Sequence, residues 1–217
     1  MDKPIDAYWE IALRELKLQL AGNGFDAYLA ESAAAAGDVV LGEILPALAP
    51  KTVSWGGSAT LVATGLYERL TASGDFAVMD PWDKSLSADE KYELRRRALL
   101  VDCYFTGTNA VTAEGCLVNL DMYGNRCGAI TFGPKNVIVL VGRNKLVPDL
   151  ERAMNRIKEY SAPVNAMRLD MKTPCAKTGY CMDCDSPQRI CNVWTITEKC
   201  LPKGRIKVVL INEDLGL

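Results

Sequence analysis

The chain contains no histidine. That excludes Ser-His-Asp and Cys-His catalysis, every imidazole metal ligand, and the usual general base near neutral pH. Chemistry must then use Cys, Asp, Glu, Lys or backbone dipoles. No run of about eighteen apolar residues occurs, so the sequence predicts no membrane span. The opening MDKPIDAYWEIALREL lacks the apolar core and small-residue cleavage site of a signal peptide. We therefore expect a cytoplasmic protein with reduced cysteines. Excess charge is also missing. The net charge is −2 with both signs mixed along the chain, which argues against nucleic acid and against electrostatic membrane contact.

The 217 residues suit one domain over 1–217. A chain of this size buries roughly 70% of its unfolded surface and needs no staple. Ile5, Trp9, Ala12, Leu13, Leu16 and Leu20 fall on one face of an N-terminal helix within 1–22. Phe25, Ala27 and Leu29 suggest a short strand. Ser32 caps an alanine-rich helix toward Leu48, which Pro46 should bend or end early. Lys51–Ser58 reads as a strand entering a glycine turn, with Ser58 capping a helix over 59–70. Phe76–Met79 is a strand, and Ser87 with Glu90 forms a capping box for a helix over 88–100. Further strands are expected at Val101–Thr106, Cys116–Leu120, Asn136–Val141, Val193–Thr197 and Arg205–Ile211. DMYGNR opens a helix through Ile130, and Pro148 suits the first position of a helix over 148–160. NVIVLV is apolar throughout, as in a strand buried on both faces of a parallel sheet. The alternation predicts an α/β fold: a Rossmann-like, mostly parallel sheet flanked by helices.

Two loops have the composition of an anion site. Ser54–Thr60 joins a strand end to a helix start. Gly56 and Gly57 allow close backbone approach, and Ser58 and Thr60 add hydroxyls. The loop matches neither G-x-G-x-x-G nor G-x-x-x-x-G-K-[ST] and equally reads as an ordinary capped turn. The second stretch, Thr106–Arg126, gathers polar residues at strand ends: Gly107, Thr108, Asn109, Glu114, Asn119, Asp121, Gly124, Asn125 and Arg126. Ligands of parallel sheets sit beyond the carboxyl ends of the strands. Asn119 and Asp121 share a strand face. Glu114 and Asp121 are the candidate acid or base, and Arg126 the candidate bidentate anion ligand. Ordinary turn chemistry is the competing account of these residues. Cys103, Cys116 and Cys127 flank the region as small core residues.

Four of the eight cysteines lie in residues 173–192, a loop within the domain. Cys175, Cys181, Cys184 and Cys191 follow C-x5-C-x2-C-x6-C, with Pro174, Gly179 and Pro187 breaking regular structure. A reduced compartment leaves three readings open: zinc, an iron–sulfur cluster, or free thiols without metal. The two-knuckle pattern of a zinc ribbon is absent.

KTVSWGGSAT, FTGTNAVTAEGCLVNLDMYGNR, FGPKNVIVLVGRNKLVPDLERA, TPCAKTGYCMDCDSPQRICN and INEDLGL resemble the LUD domain family, the lactate-utilisation protein C group, from about Leu16 onward. The resemblance implies a fold like the sugar-phosphate isomerase and CoA-transferase superfamily, whose members bind phosphates, CoA esters or related anions at strand ends. The positions that match those loops are Gly56, Gly57, Ser58, Gly107, Glu114, Gly115, Asn119 and Gly124. Some family members work with iron–sulfur subunits in oxidising lactate to pyruvate. The resemblance thus implies an accessory protein of lactate or related organic-acid utilisation. It would bind a small phosphate or carboxylate, with iron–sulfur oxidase subunits and further copies of itself as candidate partners. The alternative is an isomerase- or CoA-transferase-type enzyme with Glu114 or Asp121 as base.

Overall fold

The computed structural model describes residues 2–217. Helix α1 (Asp2–Gly22) buries Leu13, Leu16 and Leu20 at helical spacing and leaves Ile11 and Leu18 outside. It leads into β1 (Asp26–Ala30). Ser32 then caps α2 (Ala33–Val39) by accepting from Ala35 N. The helix widens into a π segment at Val40–Ile44 and resumes as α3 (Leu45–Leu48). The widened turn accommodates Pro46 inside a continuing helix instead of ending it. Strand β2 (Thr52–Trp55) is followed by α4 (Ala59–Ala63) and α5 (Leu66–Ser73). The single helix expected over 59–70 is two pieces, because Gly65 takes a left-handed conformation between them.

Next come β3 (Ala77–Met79), α6 (Ala88–Arg97) with the Ser87–Glu90 capping box, and β4 (Cys103–Gly107). A tight excursion follows: β5 (Ala110–Thr112), β6 (Leu117–Asp121) and α7 (Asn125–Thr131). The chain returns through β7 (Asn136–Gly142) and β8 (Leu146–Val147). Helix α8 (Leu150–Arg156) is capped by Asp149, which leaves Pro148 outside the helix rather than at its first position. A second π segment carries α8 into α9 (Ala162–Arg168). Pro174–Thr178 forms a short helix, α10, inside the cysteine-rich stretch, where no regular structure was expected; Pro174 sits in its first turn and Gly179 closes it. Strands β9 (Val193–Thr197) and β10 (Ile206–Ile211) complete the chain.

The main sheet has six strands in the order β1-β10-β7-β4-β2-β3, and every neighbouring pair is parallel. The alternation of β7 divides the core. Val137, Val139 and Val141 face α1 and α7 with Leu16, Leu20 and Ile130. Ile138 and Leu140 face the opposite layer with Ile44, Leu61 and Leu70. Both faces are buried, as NVIVLV required. A second sheet, β8-β5-β6-β9, was not anticipated. Its β8 and β5 are only two and three residues long, too short for a periodicity signal. Strand β9, expected in the parallel sheet, pairs antiparallel with β6 here. Helix α8 covers this sheet through Ala153 against Val118 and Leu120. No helix among the described residues is long and apolar enough to cross a membrane.

Candidate functional site

Strands β2, β4 and β7 are adjacent and parallel, so their carboxyl ends open on one side of the domain. The loop after β2 presses onto the end of β4. A side chain at Gly107 would put its Cβ 2.9 Å from Ser58 Oγ and 3.3 Å from Leu140 O, so this approach needs glycine. Ser58 Oγ accepts from Leu61 N and caps α4. Beside these loops lies a cavity of about 490 Å³, lined by Gly57, Ser58, Gly107, Asn109, Asp121 and Arg126 among others. That volume suits a small ligand. The two polar stretches therefore meet at one place, at the carboxyl ends of the strands.

The β5–β6 hairpin turns the chain so that Asp121 returns to the cavity. Asp121 Oδ1 accepts from Arg126 Nη2 at 2.5 Å, and Oδ2 accepts from Cys127 N at 3.1 Å. Asn109 Oδ1 accepts from Leu120 N at 2.9 Å and from Arg126 Nη2 at 2.8 Å. One edge of the guanidinium is thereby fixed, while its Nε is buried with no partner. Thr108 spends its hydroxyl on the carbonyls of Ala110 and Val118, and so fastens the hairpin.

The 3-10 turn Arg143–Lys145 after β7 delivers a residue that the sequence reading passed over. Lys145 is 4% exposed and lines the cavity. Its Nζ donates to Thr60 Oγ1 at 2.9 Å. Among the described residues no carboxylate pairs with it; the charges acting on it are Arg126 and Arg156. Burial, reinforced by these two cations, lowers its pKa from 10.5 to about 7. Arg95 and Arg168 also line the cavity without a carboxylate partner among the described residues. Arg95 lies over the Tyr123 ring at 5.4 Å, and Arg168 donates to Asn165 Oδ1. Trp82 closes another side of the cavity, packed against Trp55 and Tyr67; Asp80 accepts from Trp55 Nε1 and from the Tyr67 hydroxyl.

The LUD domain profile matches residues 13–211. The chain belongs to the LUD domain family. A DUF162-family protein of Deinococcus radiodurans matches 94% of this LUD domain and 98% of its own chain, with a TM-score of 0.52 at 16% identity. A D-ribose-5-phosphate isomerase in complex with phospho-erythronic acid covers 53% of this chain and 55% of its own, with a TM-score of 0.34 at 18% identity. Ribose 5-phosphate isomerase from Plasmodium falciparum covers 58% and 66% at a TM-score of 0.30 and 14% identity. Among curated proteins none matches significantly.

In this LUD domain the sequence-derived site residues separate into three groups. Gly57, Ser58, Gly107, Thr108, Asn109, Asp121, Asn125 and Arg126 line the cavity. Gly56, Asn119 and Gly124 stand behind it. Gly56 N donates to Phe105 O in the ladder, and its Cα lies where an added Cβ would meet the Tyr104 hydroxyl at 2.7 Å. Gly124 caps α7 in a left-handed conformation against Val193. Asn119 is fully buried, with neither side-chain oxygen nor nitrogen hydrogen-bonded. Glu114 lies elsewhere. It is exposed on the β5–β6 turn, and its carbonyl accepts from Asn23 Nδ2. Asn23 precedes β1, so Glu114 sits near the amino edge of the parallel sheet, away from the cavity. It cannot act as base there. Gly115, beside it, packs on Gln19 and Leu20 of α1. With α4 only five residues long and its Leu61 N–H already bonded to Ser58, the expected helix-terminus contribution to anion binding gives way to side-chain cations.

The cysteine-rich loop is held by an arginine. Arg189 donates to the carbonyls of Cys184 and Cys191 and pairs with Asp183 at 2.9 Å, while Asp183 also pairs with Lys158 at 3.0 Å. The charges of Cys181 and Cys184 act on Cys191, whose pKa burial raises. Cys175 is not among them and instead contacts Thr173 Oγ1 at 3.2 Å. Among the described residues no three Cys, Asp or Glu side chains are grouped as metal ligands. Ile190, next to Cys191, reaches the cavity wall.

Proposed function

We propose that this LUD domain binds a small organic anion, a carboxylate or phosphate, in the strand-end cavity as part of lactate or related organic-acid utilisation. One observation carries the anion: Lys145, Arg95, Arg126 and Arg168 line the cavity against a single side-chain carboxylate, Asp121, already paired with Arg126. Of these, Lys145 is buried without a side-chain carboxylate partner among the described residues, which is unfavourable, while Arg95 is half-buried and Arg168 exposed at the cavity's edge. An anion between them removes the cost at Lys145 and completes the arginines' hydrogen bonding. The guanidinium groups suit carboxylate or phosphate geometry. The metabolic setting rests on family membership, and so do iron–sulfur oxidase subunits as partners.

Calorimetric titration with lactate, pyruvate, inorganic phosphate and sugar phosphates tests the reading. At least one should bind saturably and more weakly as salt rises. Binding should take up protons near pH 8, because a bound anion raises the Lys145 pKa; the measured enthalpy will then depend on the buffer. Arg168→Ala and Arg95→Ala, which break no ion pair, should each weaken binding about tenfold, as for one charge-assisted hydrogen bond. Absence of saturable binding, or indifference to both replacements, overturns the reading.

A further inference from the structure

We propose that Lys145 is a covalent catalytic residue, whose amine forms a Schiff base with a small anion carrying a carbonyl group. The inference rests on the anion-binding reading above and names the chemistry of the same cavity.

The geometry around the amine motivates it. Nζ is at the cavity wall, yet the residue is 4% exposed. Among the described residues its one hydrogen bond goes to Thr60 Oγ1, and Thr60 in turn is placed to donate to Leu215 O at 3.4 Å. Thr60 therefore takes a proton-bearing direction of the amine and leaves its lone pair free. Two glycines flank it: an added Cβ would lie 3.6 Å from Nζ at Gly107 and 3.1 Å at Gly216. The space beside the amine is thus kept clear of side chains. Among the described residues no side-chain carboxylate pairs with the ammonium form, and two cations oppose it. A desolvated lysine beside another cation is a recognised way to make an amine nucleophilic at neutral pH. A structural lysine would be expected to carry a counter-ion or reach solvent. Lys145 has no side-chain counter-ion among the described residues, and it is 4% exposed.

The step balances without a redox partner. The Nζ lone pair attacks the carbonyl carbon, the C=O π electrons move to oxygen, and one amine proton transfers to that oxygen, giving a carbinolamine. The C–O bond then breaks as C=N forms, and the hydroxide leaves with the second amine proton as water. Arg95, Arg126 and Arg168 hold the substrate's carboxylate or phosphate, which places the adjoining carbonyl at the amine.

The test is reductive trapping on the full chain with cyanoborohydride, one arm with pyruvate and one with glyceraldehyde 3-phosphate, read by intact mass and peptide mapping. One adduct per chain should form at Lys145, with a trapping rate that rises through a midpoint near pH 7. Exposed lysines react with midpoints near 10.4. The arm that labels identifies carboxylate or phosphate as the anion. Lys145→Gln should abolish the adduct; because that variant perturbs a buried site, protection of wild-type Lys145 by excess lactate or phosphate is a second readout. A carbonyl anion that binds in calorimetry but labels Lys145 no faster than exposed lysines overturns this inference and leaves anion binding standing. Failure of every anion to bind overturns both.

Discussion

A buried amine without a counter-ion should weaken the fold, and replacing it should strengthen it in a pH-dependent way. In the folded state the Lys145 pKa falls from 10.5 to about 7. Below pH 7 the amine is charged in both states and the whole desolvation penalty falls on the native state. Between 7 and 10.5 the unfolded chain binds a proton that the folded one does not, so stability rises with pH. Each unit is worth about 1.4 kcal/mol, which sets a ceiling on the order of 5 kcal/mol for the full span. Lys145→Met keeps the chain's length without the charge. The Thr60 hydroxyl loses a partner, which subtracts about 1 kcal/mol. The variant should therefore be more stable than the parent by a few kcal/mol at pH 6.5, and the gain should shrink steadily between pH 7 and 9.5. Urea denaturation of both proteins across that range measures it, and taking the difference cancels every other titrating group. A stability difference that does not change with pH would mean that the amine stays charged or solvated, and the chemistry assigned to it would fall as well.

Asp121→Asn leaves the Arg126 guanidinium, whose side chain is 12% exposed, without its carboxylate; a loss of about 3 kcal/mol is expected in chemical denaturation. Gly107→Ala drives a methyl to within 2.9 Å of Ser58 Oγ, and should lower stability by about 2 kcal/mol while weakening any anion's affinity; an unchanged melting temperature would show that the loop yields freely. Asp102 is held well below the usual carboxylate range by the Lys135 ammonium and the Lys51 and Thr52 N–H groups. A depressed carboxylate contributes stability above its unfolded pKa, near 4, and loses it as pH falls through the folded value. Asp102→Ala should thus cost about 2 kcal/mol at pH 7 and progressively less below pH 4, as read from acid titration of the melting temperature.

Local rules placed much of this fold from residues alone. Ser32 and Ser58 cap helices, and Ser87 with Glu90 closes a capping box, because each hydroxyl sits where free N–H groups need an acceptor. NVIVLV could only be a strand covered on both faces, and it lies near the middle of the parallel sheet. The second sheet escaped because its identity lies in pairing rather than pattern. Strand β9 has five residues with no clean alternation, and only its antiparallel register with Leu117–Asp121 assigns it. Asp149 displaced Pro148 at the start of α8 because a side-chain acceptor at the cap satisfies Arg152 N, whereas proline merely tolerates the position.

The site was half legible, and Glu114 against Lys145 explains why. Glu114 lies seven residues from Asp121 in sequence, which invited grouping them. Strand β6 runs between them, and at roughly 3.3 Å per residue its length carries one to the amino edge of the sheet while the other reaches the cavity. Polar residues on either side of one strand belong to opposite ends of the fold. Lys145 follows the opposite logic. In GRNKLV it looks like a solvated turn, with two polar neighbours and no apolar face. Yet it is the third residue past β7, the strand most firmly assigned by its pattern, at the end where ligands of parallel sheets gather. What sequence cannot supply is the roof. Leu215 and Gly216 come back across Thr60, with Leu215 N donating to Asn144 Oδ1, and burial of the amine follows from that closure. The burial that distinguishes Lys145 is therefore produced by segments from three distant parts of the chain: the loop after β2, the turn after β7, and the residues following β10.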